Sequence, residues 1–308
     1  MRAAIVDVGS NSIKLLVADR GQTGVIEEVL SRTLEVRIGS GIGSESPSLG
    51  EEAIARGVAA VTELVTEARL LGADRLSGVA TSAVRDASNG AEFIERVRSA
   101  AGIELRVLSG LEEADGIGRG LTTDPALAGL SDFHVYDLGG GSLECLSFKS
   151  RRVERAVSLP LGCVRLTEML VADPTDPLPD ADAERIRAHV KEVVTRSGFP
   201  LPVPPGSGVV GTGGTLTTVR SIQAARTGTG FARSDPLIPV SCLRDVLRRI
   251  GSLPVGARCK IPGLPASRAD VFPTALVTLL ALADLGDIRA FRHSLRNLRW
   301  GLAAALLA

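Results

Sequence analysis

The sequence predicts a two-lobed α/β protein, and two observations carry the prediction. A pair of apolar runs around a short polar turn, Ala3-Ala-Ile-Val-Asp-Val-Gly-Ser-Asn-Ser-Ile-Lys-Leu-Leu-Val-Ala18, recurs later as His134-Val-Tyr-Asp-Leu-Gly-Gly-Gly-Ser-Leu-Glu-Cys-Leu-Ser147. A single shift superposes Asp7 on Asp137, Gly9 on Gly139, Ser12 on Ser142 and Leu16 on Leu146. That is an internal repeat at domain scale. Between and after the copies, strand-like and helix-like apolar patterns alternate, as α/β proteins require.

Each copy reads as a β-hairpin, since apolar runs flank a turn of Gly, Ser and Asn. Glu51 to Leu71 carries apolar residues at Ile54, Val58, Val61, Leu64, Val65 and Ala68, which is helical spacing. Arg75 to Ala80 is a short strand leading into Thr81-Ser-Ala-Val-Arg-Asp86. A helix over about 90–100 follows, then a strand at 104–108 and a turn at Ser109-Gly110. Leu111-Glu-Glu-Ala-Asp115 opens another helix, with acids in the first turn as the helix dipole favours. In the second half, Asp180 to Ser197 is helical, and Pro200, Pro202, Pro204 and Pro205 mark a loop. Val209 to Val219 then reads strand, Gly-rich turn, helix, and three more helices are expected near 241–250, 269–284 and 295–307. The lobes are placed at residues 1–124 and 125–308, with the last helix, about 294–308, packing back on the first lobe.

Composition narrows the class. The 308 residues carry 35 Lys plus Arg against 35 Asp plus Glu, so the net charge is zero and no nucleic-acid partner is expected. Hydrophobic residues at 44% and charged residues at 23% exclude extended disorder, and aromatics at 3% leave the core to Leu, Val, Ile and Ala. Only Lys14, Lys149, Lys191 and Lys260 are lysines. A phosphate-binding bias would explain that, and a genome that favours Arg codons explains it at least as well. Cys145, Cys163, Cys242 and Cys259 form no CxxC pair, and His134, His189 and His293 are isolated, so no zinc pattern is present and the thiols read as buried in a reducing compartment. Asp7 comes too early for a signal peptide, and the longest apolar region, Val271 to Ala283, is short of the roughly 20 residues that span a bilayer. A cytoplasmic protein without a membrane partner is expected. Symmetric dimers are common among soluble proteins, and a homodimer is compatible with the sequence.

Two turns and a few acids carry chemistry. Gly9-Ser-Asn-Ser12 and Gly139-Gly-Gly-Ser142 place small residues where a backbone comes close to something, and uncovered amides there suit phosphate oxygens. A hairpin that merely needs glycine explains either turn alone. Two turns of one type, each with an Asp two residues before its first Gly, point to a paired phosphate-binding cleft. Asp7 and Asp137 near the ends of apolar strands, and Glu144 amid apolar neighbours, are costly unless they serve a metal or hydrogen bonds. Carboxylates joined by substrate oxygens and waters are the usual Mg²⁺ arrangement.

The strings Asp7-Val-Gly-Ser-Asn-Ser-Ile13, Ala80-Thr-Ser-Ala-Val-Arg-Asp86, Leu108-Ser-Gly-Leu-Glu-Glu-Ala114 and Asp137-Leu-Gly-Gly-Gly-Ser-Leu-Glu144 resemble the successive signature motifs of the exopolyphosphatase and guanosine pentaphosphate phosphohydrolase (Ppx/GppA) family, in order and at similar spacing. Leu161-Gly-Cys-Val-Arg165 and Gly211-Thr-Gly-Gly-Thr215 also fit, so the resemblance covers essentially the whole chain. It implies the actin, sugar-kinase and heat-shock ATPase fold, two ribonuclease-H-like lobes around a central cleft. It further implies hydrolysis, with Mg²⁺ or another divalent cation, of the terminal phosphoanhydride of inorganic polyphosphate or of the 5′-γ-phosphate of guanosine pentaphosphate.

Carried over by position, the resemblance makes Glu113 the general base, with Glu112 as its alternative, and gives Arg85 the terminal phosphoryl group. Asp137 and Glu144, with Asp7, become the metal site. Gly9, Ser10, Asn11, Ser12, Gly139, Gly140, Gly141 and Ser142, with Gly213 and Thr215, become the phosphate-binding set. Phosphoryl transfer needs an in-line water and charge stabilisation more than covalent chemistry, which suits a positioned Glu and a planar Arg fork.

The chain also departs from the family. Longer members carry a further helical C-terminal domain, so 308 residues match the short form and short polyphosphate is the expected substrate. Where the family often has Leu-Arg-Glu-Gly, this sequence reads Leu298-Arg-Trp-Gly301. Arg289, Arg292, Arg296 and Arg299 share one helix face if their segment is helical, as either a polyphosphate track or a solvated surface. Rival classes are a sugar or acetate kinase of the same fold and a non-catalytic polyphosphate or alarmone sensor.

Overall fold

The computed structural model describes residues 1–22 and 24–308. They form two compact units, one of Met1–Ala128 with Arg296–Ala308 and one of Gly129–Leu295. The first unit runs β1 (Arg2–Val8), β2 (Ser12–Arg20), β3 (Ile26–Glu35), α1 (Glu51–Leu70), β4 (Arg75–Ala80), α2 (Ser82–Asp86), α3 (Gly90–Ala101), β5 (Leu105–Val107) and α4 (Gly110–Thr122). The second runs β6 (Phe133–Leu138), β7 (Leu143–Lys149), β8 (Arg152–Leu159), α5 (Cys163–Leu170), α6 (Asp180–Ser197), β9 (Gly208–Thr212), α7 (Gly214–Thr227), β10 (Leu237–Pro239), α8 (Val240–Gly251), α9 (Val255–Arg258), α10 (Phe272–Gly286) and β11 (Ala290–His293). The chain then returns to the first unit as α11 (Leu298–Leu306).

The expected α/β duplication is present as topology. The first sheet has the order β3-β2-β1-β4-β5, antiparallel over β1 to β3 and parallel from β1 to β5. The second has β8-β7-β6-β9-β11 in the same sense, with β10 added antiparallel to β11. β1 and β6 are nearly or wholly buried, and a strand covered on both faces reads as a continuous apolar run. β3 and β8 lie at the edges and carry Glu, Arg and Ser, as edge strands do to avoid pairing with other chains. α10 is apolar all round and buried. No helix among the described residues is long and apolar enough to cross a membrane.

Within the first unit, α11 and the Leu307 that caps it pack on β1, β2 and the start of β3, with Trp300, Ala303 and Leu307 in one cluster with Ala3, Ile5, Leu16, Ala18 and Ile26. Trp300, which replaces an acid of the resembled motif, is therefore a core aromatic, with the Arg296 guanidinium 3.9 Å above its ring. Arg299 is buried and donates to the Leu15 carbonyl at 3.0 Å and to Ser31 Oγ at 3.2 Å. Arg20 and Arg75 donate to the Leu307 and Leu306 carbonyls, satisfying the end of α11.

The four C-terminal arginines do not share a helix face. Arg292 sits in β11 opposite Val210, Arg296 precedes the helix, and α11 begins only at Leu298. Pairing of 290–293 with β9 and β10 takes the segment that the spacing alone would make helical. Arg296 donates to the Thr123 and Ile26 carbonyls.

Helix α11 meets α4 through glycines. A Cβ on Gly120 would lie 2.0 Å from the Asn297 carbonyl oxygen, and one on Gly301 would lie 1.9 Å from that of Gly116. Both obstacles are backbone, so neither can swing away. Gly120→Ala should destabilise the protein by about 2–4 kcal/mol in urea titrations. Gly129→Ala, at a site open to solvent, should leave the midpoint within about 0.5 kcal/mol of wild type.

Candidate active site

In the first unit the β1–β2 turn is closed by the Gly9 amide donating to the Ser12 carbonyl at 3.1 Å. The other turn carbonyls are also engaged. Gly39 N–H donates to the Ser10 oxygen at 2.8 Å, and Val36 and Arg37 N–H donate to the Asn11 oxygen. Among the described residues the amides of Ser10 and Asn11 donate to no protein acceptor. Ser10 Oγ lies 3.1 Å from Ser82 Oγ, which ties the turn to the start of α2. Asp7 is buried beside it, with Lys14 as its cross-strand neighbour.

Arg85 lies in the last turn of the short α2 and reaches back toward α4. Its Nη1 donates to the Leu108 carbonyl at 2.8 Å and to Glu113 Oε2 at 3.2 Å, and its Nε lies 3.4 Å from Asp86 Oδ1. Glu113 is buried, 8% exposed. The two neighbouring glutamates have different tasks. Glu112 closes a capping box, accepting the Ser109 amide at 2.8 Å while its own amide donates to Ser109 Oγ, and pairs with Arg106 at 2.7 Å. Those bonds hold its carboxyl below the usual glutamate range. Glu112 thus fixes the helix start, which sets Glu113 beside Arg85.

The second unit repeats the turn with different surroundings. Gly139 N–H donates to the Ser142 carbonyl at 3.0 Å, and the Gly139 and Gly140 carbonyls accept from Cys163 and Val164, the first amides of α5. Arg165 Nε donates to the Gly141 carbonyl at 2.9 Å. Gly162 is obligatory here, since a Cβ would lie 2.3 Å from the Gly140 backbone. The amides of Gly140 and Gly141 donate to nothing among the described residues. Asp137 and Glu144 are register partners across the hairpin and both buried, and Ser158 Oγ donates to Glu144 Oε1 at 2.7 Å.

The Gly211–Thr215 turn joins this set. Gly213 has φ +94°, and a Cβ there would sit 2.6 Å from Asp137 Oδ1, so the turn is pressed against the carboxylate. Among the described residues the buried hydroxyls of Thr212 and Thr215, and Arg268 Nε, have no hydrogen-bond partner. The Arg268 guanidinium lies over Gly214, with Nη1 only 1.6 Å from where a Cβ would be. Unsatisfied buried donors around the first amides of a helix are what an anion would satisfy. The sequence assigned no role to Arg165 or Arg268. Arg165 was visible at the end of Leu161–Arg165, but Arg268 has no signal beyond being one arginine among many.

The sequence model of the Ppx/GppA phosphatase family matches residues 16–308. The chain belongs to that family. Exopolyphosphatase 2 of Mycobacterium tuberculosis is 31% identical over 291 residues, covering 92% of this chain and 90% of that protein. The crystal structure of an exopolyphosphatase from Cytophaga hutchinsonii has a TM-score of 0.87 at 22% identity, covering 100% of this chain and 98% of that one. The Aquifex aeolicus PPX-GPPA enzyme has a TM-score of 0.78 at 24% identity over 99% of both chains, and these two likenesses establish the fold. As a Ppx/GppA member, the protein is a hydrolase of the phosphoanhydride-cleaving class. The family match begins after the first turn, so Asp7 to Ser12 rest on the internal repeat and on the motif order.

Two predictions follow from the second-unit geometry. Gly213→Ala combines an unfavourable φ with a clash on Asp137, and should lower phosphate-releasing activity at least ~100-fold while the melting temperature falls only modestly. The second concerns His293, which burial and the adjacent Arg220 push down to about 3. The unfolded chain protonates this residue below about 6.5 while the folded one does not, so stability falls as pH drops through that value. From pH 7 to 5 the loss from His293 should be about 2 kcal/mol. Thermal melts across that range should show it, and His293→Gln should flatten the slope by about one proton.

Proposed function

We propose that the protein releases terminal orthophosphate from inorganic polyphosphate, above all from short chains, using water activated by Glu113. The observation that carries this reading is the buried Glu113 carboxylate 3.2 Å from the Arg85 guanidinium. In the free protein the Arg85 guanidinium holds the Glu113 carboxylate in place through their 3.2 Å contact. A terminal phosphoryl group drawn to Arg85 competes for that guanidinium, which leaves the Glu113 carboxylate to face water beside it. Glu113 then accepts a proton from water, and the water oxygen attacks the terminal phosphorus in line. The bridging P–O bond breaks and its electron pair stays with the shortened chain. Arg85 stabilises charge on the equatorial oxygens.

The remaining groups bind and orient. The amides of Ser10 and Asn11 in the first unit, and those of Gly140 and Gly141 with the first turn of α7 in the second, each suit phosphate oxygens. Asp137 and Glu144 fit a magnesium ion, because they are hard oxygen donors placed as cross-strand neighbours. No cluster of three or more His, Cys, Asp or Glu able to hold a metal exists among the described residues. So sparse a donor set suits a cation shared with substrate phosphates rather than one caged by protein. When bound, Mg²⁺ supplies charge neutralisation on the phosphate oxygens. Asp7 faces Lys14 where Asp137 faces Glu144, so the carboxylate pair belongs to the second hairpin.

Glu113→Gln should reduce kcat by about 10²–10⁴-fold on short polyphosphate with KM changed only a few-fold, read as orthophosphate release. Wild-type turnover in that variant would remove Glu113 as the base. Chelation should abolish release and added Mg²⁺ restore it. The same assay on long polyphosphate, guanosine pentaphosphate and ATP tests the substrate, and preference for guanosine pentaphosphate would replace the polyphosphate reading.

A further inference from the structure

The second unit holds a cavity of about 520 Å³ on the flank of α7, within the size range of small-molecule sites. Its wall includes Arg220, Arg226 and Arg233 together with Gln223, Thr229 and Cys242. Arg220 is 7% exposed, and all its hydrogen-bond partners are neutral. They are Ser234 Oγ and O, the Phe231 carbonyl and His293 Nδ1, at 2.9–3.3 Å. The Phe231 ring lies 4.5 Å from the guanidinium carbon. Asp235 acts on Arg220 through its charge alone, without a contact, and burial still holds the guanidinium below its usual range, so the buried cation is incompletely compensated.

The three cavity arginines lack the acid partners that five other arginines of the unit have. Arg185, Arg187, Arg196, Arg244 and Arg248 each pair with a carboxylate. Arg226 bonds only the Gln223 amide oxygen, and none of Arg220, Arg226 and Arg233 has a carboxylate within 4 Å among the described residues. The two acids of the wall are engaged elsewhere: Asp235 accepts the Leu237 amide at 2.8 Å, and Asp245 pairs with Arg248 at 3.3 Å. Arg258 shows the structural use of an enclosed arginine, since it is wholly buried and donates to the carbonyls of Pro174, Asp176, Ile250 and Ala269. Arg220 differs in opening onto a cavity that two further unpaired arginines share.

We propose that this cavity is a second anion site, for a small organic phosphate. Forks from two helical turns and from the 231–234 segment suit a tetrahedral multi-oxygen anion better than a single carboxylate, which one arginine can clasp alone. Leu237, Ile238 and Pro239 line the same cavity and give an apolar seat for the rest of the molecule. The wall is also wired to the Gly-rich turn. His293 Nε2 lies 3.2 Å from Thr217 Oγ1, and Thr217 Oγ1 donates to the Gly213 carbonyl at 3.1 Å. An occupant contacting Arg220 therefore pulls on a chain of hydrogen bonds that ends at Gly213.

Crystals of the full chain soaked separately in sodium tungstate and in phenyl phosphate test the site, independently of turnover. Tungstate should give an anomalous peak within about 4 Å of the Arg220 guanidinium, the range of an ion pair. Phenyl phosphate should place its phosphate there and its ring on Leu237 and Ile238. The exposed double variant Arg226→Ala/Arg233→Ala should fold normally and lose both, and Arg220→Met should do the same where it folds. Tungstate only at the Gly139–Ser142 turn would overturn this proposal while leaving the polyphosphate reading intact. Tungstate near Arg220 without phenyl phosphate would show an inorganic-anion site and overturn the organic ligand, and peaks that persist in the double variant would overturn the assignment to these arginines.

Discussion

The working parts of both units depend on how one hairpin turn disposes of its backbone polar groups. In the second copy, the carbonyls of Gly139, Gly140 and Gly141 are taken by α5 amides and by Arg165, and that of Ser142 by Gly139 itself. In the first, the carbonyls of Ser10, Asn11 and Ser12 are taken by Gly39, by Val36 and Arg37, and by Gly9. Acceptors are thus satisfied while donors are left over, and a turn in that state favours an anion. The same demand explains two glycines outside the turns. Gly39 would place a Cβ 2.6 Å from Ser10 Cβ, and Gly162 has no room beside Gly140, so each lets the supporting backbone come close enough to take the carbonyls.

Duplication of the fold has not meant duplication of chemistry. The strand order of the two sheets matches, yet Lys14 stands where the second hairpin has Glu144. A similar divergence separates α4 and α11, which follow the corresponding strands β5 and β11. Counted from their N-caps Ser109 and Asn297, the third and fourth helical residues are Glu112 and Glu113 in one and Trp300 and Gly301 in the other. The cap and the buried acid occupy those positions in α4. In α11 they have become a core aromatic and a glycine against which α4 packs. One copy carries the acid, and the other supplies the surface that holds its helix.

What was legible in the sequence follows from where side chains are buried. Buried strands and amphipathic helices read correctly because their apolar spacing is their structure: α1 and α6 begin and end within a residue of the expected limits. β3 and β8 were missed because edge strands carry the charges that mark a loop. The turns and Glu113 were legible as motifs, and Asp137 with Glu144 as acids in apolar company. Arg268 was not legible, since its placement over Gly214 joins segments about fifty residues apart and nothing local encodes it. The C-terminal arginines misled because a helical interval is only as good as the helix beneath it, and β11 claimed part of that segment.

Arginine usage makes the same point from the other side. With four lysines among 35 basic residues, the composition left open whether arginine served phosphate or merely filled the surface. Many do a third job. Arg258 and Arg299 are buried against backbone carbonyls, Arg296 bridges Thr123 and Ile26, and Arg20 and Arg75 finish the last helix. A guanidinium has five donors in one plane and serves several carbonyls at once, which an ammonium on a flexible stem does less well. What sets apart the arginines proposed for phosphate is their surroundings rather than their charge. Arg85 faces a buried carboxylate beside a motif turn, and Arg165 braces a glycine carbonyl. Arg268 keeps an unsatisfied donor over the first glycine of a helix. Under the proposed reading these three meet phosphate, while the carbonyl-bound arginines hold the fold together.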